Sequence, residues 1–400
     1  MRSRGVSSAR FGAVFAAFAL VFSTVATPAA AGACATGGVT SLGRGWIKIS
    51  APAWPTPVLP RDVAFAAAPF AVDPNDADRL LFSNGHALML SKDGGCTWTQ
   101  LLTVDPSPTY PRNNGALDRI MTARLHGDHI YLQVMHQYQS ASILYSHDLG
   151  QTFQVATVGL PPPAGWGSSV ESLVVDPSDP LRVYFGIDRN VAPIAVGTVR
   201  PGVDLDSVFL STDGGVTWLE RTLPTSRATS ALETHSPQLH LDARDPNVLW
   251  EFSQVTPTFR SPDGGGTWTE VGPATPEGID GTSRISTAPN GPFSSVLAVP
   301  HGLGVDYILR SDDDGRSFYK LPTPGDPSNA LFAGSKDKVI VHTYNGNSFL
   351  WRLDSRANRW VDITPPGIDS MWGQRISRLG TKTAVFTYEP NNIYRYVGRL

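Results

Sequence analysis

The chain has 400 residues, 41% hydrophobic and 17% charged, and its 32 Lys and Arg against 35 Asp and Glu give a formal charge of −3. That balance excludes the basic footprint of a nucleic-acid binder, so no nucleic-acid partner is expected. The 38 Gly, 33 Pro and 10 Trp suit a turn-rich all-β protein better than a helical one.

Residues 1–33 read as a secretory signal. Arg2, Arg4 and Arg10 form a basic start, Phe11 to Val25 is apolar, and Ala29-Ala30-Ala31 or Ala31-Gly32-Ala33 offers small residues for cleavage. The apolar run is short of the roughly 20 residues a membrane span needs, and no later stretch reaches that length. The expectation is a secreted or periplasmic protein whose mature domain is 34–400. Losing three arginines with the leader takes its formal charge from −3 to −6. Its two cysteines, Cys34 and Cys96, reach an oxidising compartment, where a disulfide between them is the favoured reading. The alternative leaves Cys34 free or lipidated, with Ala31 where a lipoprotein signal carries Leu, and makes Cys96 a small filler.

After the leader comes one isolated strand pattern, GWIKIS at Gly45 to Ser50. The next segment, AVDPNDADRLLF at Ala71 to Phe82, sets a turn of the Asp-Pro kind between two apolar strands. The same pattern returns as VVDPSDPLRVYF at Val174 to Phe185 and LDARDPNVLWEF at Leu241 to Phe252. A stronger string recurs five times: SKDGGCTW from Ser91, SHDLGQTF from Ser146, STDGGVTW from Ser211, SPDGGGTW from Ser261 and SDDDGRSF from Ser311. Its aspartates Asp93, Asp148, Asp213, Asp263 and Asp313 are 55, 65, 50 and 50 residues apart, a period that announces a repeat architecture. Asp with Ser or Thr locks a tight turn through local hydrogen bonds, and Gly supplies the positive φ that a Cβ resists. Alternating residues flank each string, as in ALML, SVFL and YILR, so every copy is expected to be a hairpin turn between two strands.

This string resembles the Asp-box of the bacterial neuraminidase repeat superfamily, which includes sialidases, xyloglucanases, sortilin-type receptors and photosystem II assembly factors. The resemblance implies a β-propeller in which the box joins the third and fourth strands of each blade, and a functional site on the opposite face.

Tiling the pattern gives blades near 62–102, 116–157, 168–223, 231–273, 281–324 and 330–366. The sixth lacks a box but keeps Trp360 in LWRLDSRANRWVDI. The runs QRISRL, TAVFTY and NIYRYVG near the C-terminus, with GWIKIS from the N-terminus, complete a seventh blade closed by both chain ends. About 52 residues per blade is ordinary for four strands and their loops. Six blades with loose termini is the competing count. Closure leaves no exposed sheet edge, and a monomer is expected.

The starts of the first strands should surround the channel mouth. They carry Asp118, Arg119, Glu171, Glu233, His235, Arg284, Trp372, Gln374 and Arg375. Loops between second and third strands add His86, His136, Tyr138 and His301, and a long insertion spans 188–206. Asp118, Glu171 and Glu233 are candidate carboxylates for glycoside hydrolysis, which needs two across the scissile bond. Arg119, Arg284 and Arg375 offer a clamp for a sugar carboxylate, with His235 and Trp372 as further ligand contacts.

The resemblance to sialidases is incomplete. Sialidases usually carry Arg-Ile-Pro early in the chain, whereas the nearest string here, Arg119-Ile120-Met121, is in the second blade and lacks the proline, and no tyrosine with an acidic partner is evident. Xyloglucanases use two propellers and the cleft between them. The histidines come from separate blades without short ligand spacing, so neither metal nor cofactor is expected. The leading reading is a binding or assembly module for a protein or glycan at the channel mouth, with glycoside hydrolysis as the alternative.

Overall fold

The computed structural model describes residues 39–54, 69–104, 119–136, 140–160, 172–187, 207–222, 238–252, 258–271, 282–290, 292–300, 304–369, 371, 373–379, 382–389 and 392–397. The described residues form seven antiparallel sheets and no helix. The N-terminal strands β1 (Val39–Gly43) and β2 (Trp46–Ser50) are a hairpin. The first blade follows with β3 (Phe70–Val72), β4 (Leu80–Ser83), β5 (Ala87–Ser91) and β6 (Thr99–Thr103). The second holds β7 (Arg119–His126), β8 (His129–His136), β9 (Ser140–Ser146) and β10 (Gln154–Val155), and the third β11 (Leu173–Val175), β12 (Val183–Ile187), β13 (Ser207–Ser211) and β14 (Leu219–Thr222). The fourth is β15 (Gln238–Leu241), β16 (Leu249–Phe252), β17 (Phe259–Ser261) and β18 (Thr269–Glu270), and the fifth β19 (Thr282–Asn290), β20 (Phe293–Pro300), β21 (Tyr307–Ser311) and β22 (Tyr319–Pro322). The sixth comprises β23 (Asp326–Phe332), β24 (Val339–Asn345), β25 (Asn347–Asp354) and β26 (Arg359–Asp362).

The last sheet runs β27 (Gly373–Leu379), β28 (Lys382–Glu389), β29 (Asn392–Tyr396), then β2 and β1. Closure therefore joins the two chain ends as the repeat count requires, with one correction. The N-terminus contributes a hairpin where a single strand was expected, so this blade has five strands. Gly43, Arg44 and Gly45, all at positive φ, fold VTSLG back on WIKIS. The sixth blade also begins earlier than expected, at Asp326, because a bulge between Pro327 and Asn329 lets its first strand extend past the proline.

Both faces of an inner blade are covered, which is why β4 (LLFS) and β12 (VYFGI) are apolar and buried throughout instead of alternating. The period of two survives in the partners: Leu80 and Phe82 pack toward the closing blade, while Leu81 packs toward the second. Each interface between neighbouring blades has its own apolar core, from the Phe70, Phe82, Phe386 and Tyr388 group between the closing and first blades to the Trp46, Leu350, Tyr394 and Tyr396 group between the sixth and closing blades.

The five boxes are built alike. In each, the Ser hydroxyl donates to Asp Oδ1 at 2.7–2.9 Å and accepts the N–H of the Gly four residues on. The Asp also accepts the N–H and the hydroxyl of the Thr or Ser four residues after it. The first four boxes bind the turn between the first two strands of their own blade, Gly94 N to Asp78 O, Leu149 N to Asp128 O, Gly214 N to Leu181 O and Gly264 N to Asn247 O, and the fifth binds the start of its second strand, Asp314 N to Ser294 O. Boxes and first turns thus share one end of the ring. The sixth blade replaces the box with Asp354, whose Oδ1 accepts the N–H groups of Arg356 and Ala357.

Candidate functional site

The first strands β3, β7, β11, β15, β19 and β23 surround a central cavity of about 380 Å³. Arg124 and His126 reach it from β7, His240 from β15, Arg284 and Ser286 from β19, and Asn329 from β23. Apolar residues such as Val72, Leu125, Val175, Leu239, Ile285 and Leu331 fill the walls between them. In the first three blades the lining residues sit late in the strand or in the turn that follows, as Pro74, His126 and Pro177 show. On those blades the cavity reaches toward the end that carries the boxes, while on β19 its lining, Arg284 to Ser286, sits in the first half of the strand.

The Asp of the Asp-Pro turns explains this end. Asp73 Oδ1 accepts Asn75 N at 2.8 Å, and its Oδ2 accepts Gly127 N of the second blade at 2.8 Å. Asp242 accepts Ser294 Oγ of the fifth blade at 2.6 Å and Trp250 Nε1 at 3.2 Å. Asp176 accepts both Ser178 N and Ser178 Oγ, and Arg182 stands 3.7 Å away. Each carboxylate is nearly sealed from solvent, and each closes a turn. Asp73 and Asp242 also tie one blade to the next, a role the sequence motif did not reveal.

The site residues expected at the opposite end are only partly among the described residues. Asp118, Glu171, Glu233, His235 and Trp372 lie outside the described residues, as do Tyr138, His301 and the insertion 188–206. Arg375 and Gln374 belong to β27, and His136 ends β8. Arg119 opens β7 as a buried side chain, while Arg284 lies on β19, lines the cavity and donates to Gln238 Oε1 at 3.2 Å. Of the ligand-contact set, the described cavity lining therefore contains Arg284. His86 is also buried: Asn84 Oδ1 accepts its backbone N–H and that of Ala87, in a turn whose Gly85 carbonyl accepts Ile120 N. Cys96 is not a free thiol, and Cys34 lies outside the described residues. Among the described residues no group of three or more His, Cys, Asp or Glu is placed to hold a metal ion.

Three pairs escaped the sequence reading. Tyr319 donates to Asp312 at 3.0 Å and Tyr394 to Glu389 at 2.6 Å, so tyrosines with acidic partners do exist. Neither is in the cavity lining, and burial first, then the carboxylate, raises the Tyr394 hydroxyl's pKa, which keeps it protonated. The third pair is at the mouth end of the sixth blade. Exposed Ser328 places Oγ 2.6 Å from Nδ1 of buried His342, and burial lowers that imidazole to about 4. No spacing announces it, because the bulge in β23 creates the register that sets Asn329 opposite His342.

The seven sheets define the fold class: a seven-bladed β-propeller. No known family profile matches the chain. Over 232 residues, 49% of its length, it is 27% identical to the xyloglucanase Xgh74A of Acetivibrio thermocellus, and over 244 residues 27% identical to a xyloglucanase of a Paenibacillus species. These matches cover 26% and 22% of those proteins, so about half of the chain corresponds to roughly a quarter of each. Among solved structures it is similar to an ancestral GH74 enzyme, with TM-score 0.56 and 15% identity over 86% of this chain and 45% of that one. It is also similar to YCF48 from Cyanidioschyzon merolae, with TM-score 0.55 and 12% identity over 88% of this chain and 98% of that one, and to YCF48 bound to D1 peptide, with TM-score 0.51 and 13% identity over 89% and 97%. At these identities the structural likeness concerns the fold. No helix among the described residues is long and apolar enough to cross a membrane.

Proposed function

We propose that the protein is an exported binding propeller that holds a protein or glycan partner at the channel mouth, the end opposite the boxes. The observation that supports this reading is the closed seven-bladed ring, whose first strands bring side chains of separate blades around one channel below that mouth. Among the described residues its lining presents two arginines, two histidines and a single carboxylate, Asp176, already engaged by Ser178 and Arg182. A glycoside hydrolase needs two carboxyl groups roughly 5–9.5 Å apart across its substrate, and its candidates here, Asp118, Glu171 and Glu233, lie outside the described residues. The solved YCF48 complex with a D1 peptide supports the idea that such a ring serves as a receptor. Fold alone implies neither activity nor its lack.

The xyloglucanase relatives favour a second reading, in which Asp118, Glu171 and Glu233 act on a glycan. In both readings residues 1–33 form a cleaved signal, Cys34 pairs with Cys96, and 34–400 is one exported domain. Intact mass with and without reduction checks the pairing through a gain of two hydrogens.

A hydrolysis screen of polysaccharides and aryl glycosides, run beside glycan-array and pull-down binding on the mature protein, separates the two. The binding reading expects a retained partner without turnover, and Glu171→Gln and Glu233→Gln that leave retention intact. Turnover abolished by one of those changes would replace it with the hydrolase.

A further inference from the structure

In an Asn-Gly pair the main-chain nitrogen of the glycine closes readily on the preceding side-chain amide, because no Cβ shields it. Two such pairs lie wholly within the described residues, Asn84-Gly85 and Asn345-Gly346. They occupy equivalent turns at the mouth end, β4–β5 of the first blade and β24–β25 of the sixth. The fold treats them in opposite ways.

In the first blade Asn84 is buried, its Oδ1 accepts His86 N at 2.9 Å and Ala87 N at 2.8 Å, and Gly85 N donates to Ser83 Oγ at 2.9 Å. The side-chain amide and the nitrogen that would attack it are both engaged. In the sixth blade Tyr344, Asn345, Gly346 and Asn347 are exposed, and a Cβ built on Gly346 meets nothing within 4 Å. No described residue hydrogen-bonds the Asn345 amide or the Gly346 N–H. Exposure alone does not decide the outcome. Asn347 is exposed in the same turn, but the nitrogen that would attack it, Ser348 N, donates to Asp369 O at 2.9 Å.

We propose that Asn345 is a site of spontaneous deamidation that adds a carboxylate to the mouth end of the sixth blade. Gly346 N bonds to Asn345 Cγ, the side-chain nitrogen leaves as ammonia with the proton that Gly346 gives up, and a cyclic succinimide forms. Water then opens the ring at either carbonyl and leaves aspartate or isoaspartate at position 345. Overall a water is consumed, an ammonia is released and the side chain becomes negatively charged at neutral pH. The iso-linked product also lengthens the main chain by a carbon inside a tight turn whose flanking residues, Tyr344 and Ser348, pair across it. The reaction requires no partner at the mouth, so its failure and the failure of the binding reading are separate results.

Peptide mass spectrometry of the mature protein aged in mildly alkaline buffer tests this, following the tryptic fragments 80–92 and 339–352 over time. Fragmentation of the second peptide resolves Asn345 from Asn347. In the folded protein Asn345 is expected to convert at least about tenfold faster than Asn84 or Asn347. In urea, where the turns are lost, Asn84 should approach the Asn345 rate, which shows that the fold and not the dipeptide protects it. An isoaspartyl methyltransferase should label fragment 339–352 of the aged folded protein and leave 80–92 unlabelled. Asn345→Gln and Gly346→Ala should each suppress the conversion, and the first leaves the turn glycine in place should the second fold poorly. Equal rates at Asn345 and Asn84 in the folded protein would overturn the proposal, as would a folded Asn345 that stays intact under conditions that convert it in urea.

Discussion

Gly95→Ala tests how the ring is closed. Gly95, the second glycine of the first box, sits at φ +92°, and a Cβ built there would stand 2.1 Å from Ile49 Cγ2. Ile49 belongs to the N-terminal strand of the closing blade and is fully buried, so it has little room to retreat. Two penalties add: the left-handed backbone costs an alanine roughly 1–2 kcal/mol, and overpacking typically costs about 1–3 kcal/mol. The total is about 2–5 kcal/mol. Gly346, in the β24–β25 turn, isolates the first penalty. It has φ +74° with nothing within 4 Å of the built Cβ, so Gly346→Ala should cost only about 1–2 kcal/mol. Urea unfolding followed by tryptophan fluorescence gives both values. A cycle with Ile49→Ala then removes the clashing methyl and should recover about 1–3 kcal/mol of the Gly95→Ala penalty as a coupling energy. Equal costs for the two glycines, or a Gly95→Ala penalty unchanged in the Ile49→Ala background, would refute the docking of the N-terminal strand against the first box.

The box carboxylates make stability acid-sensitive. Asp148 is lowered to about 2, chiefly by the Thr152 backbone N–H, and Asp313 to about 2, chiefly by the Ser317 hydroxyl. With folded values below the unfolded carboxylate near 4, their contribution is complete above about pH 4 and lost as pH falls toward 2. Asp148→Asn and Asp313→Asn should lower stability at pH 7 and flatten its decline in that window, as urea midpoints across pH will show. His342 acts at higher pH. Burial lowers it to about 4 from an ordinary 6.5, so the folded state binds fewer protons and stability erodes as pH drops from about 6.5 to 4. Its imidazole resonances should remain those of the neutral ring down to about pH 4, and His342→Gln should remove the erosion in that window alone. Trp46 donates its indole N–H to Ile363 O and meets Tyr396 edge-on at 5.1 Å. Trp46→Phe should leave that buried carbonyl short of a donor and cost about 1–3 kcal/mol in the same urea assay.

The architecture was legible because it repeats. Ser, Asp, Gly and Thr recur at fixed offsets because every box makes the same local bonds, and local bonds leave a local signature. Asp73 shows where that signature stops. Its turn was readable from Asp-Pro, but its bond to Gly127 N joins residues 54 apart in the chain, and no pattern in one segment encodes that distance. The extra strand β1 escaped for a similar reason. Its residues, VTSLG, are mostly exposed with only weak alternation, and a strand at the rim of a sheet needs no apolar face.

The site was harder to read because a ring converts sequence separation into proximity. Arg284 was recognised as a strand residue near the channel, but its counterpart Arg124 sits late in LDRIMTARL, where the search for strand starts did not look. In an up-and-down blade a first strand passes through the channel from mouth to box end, so its last residues line the cavity as surely as its first line the mouth. The boxes do crowd the outer part of their end. The Asp-Pro turns inside them, however, bind the next blade, Asp73 to Gly127 N and Asp242 to Ser294 Oγ, and the channel lining beside them includes Arg124, His126 and His240. Chemistry in this propeller is therefore to be sought at both ends of the first strands.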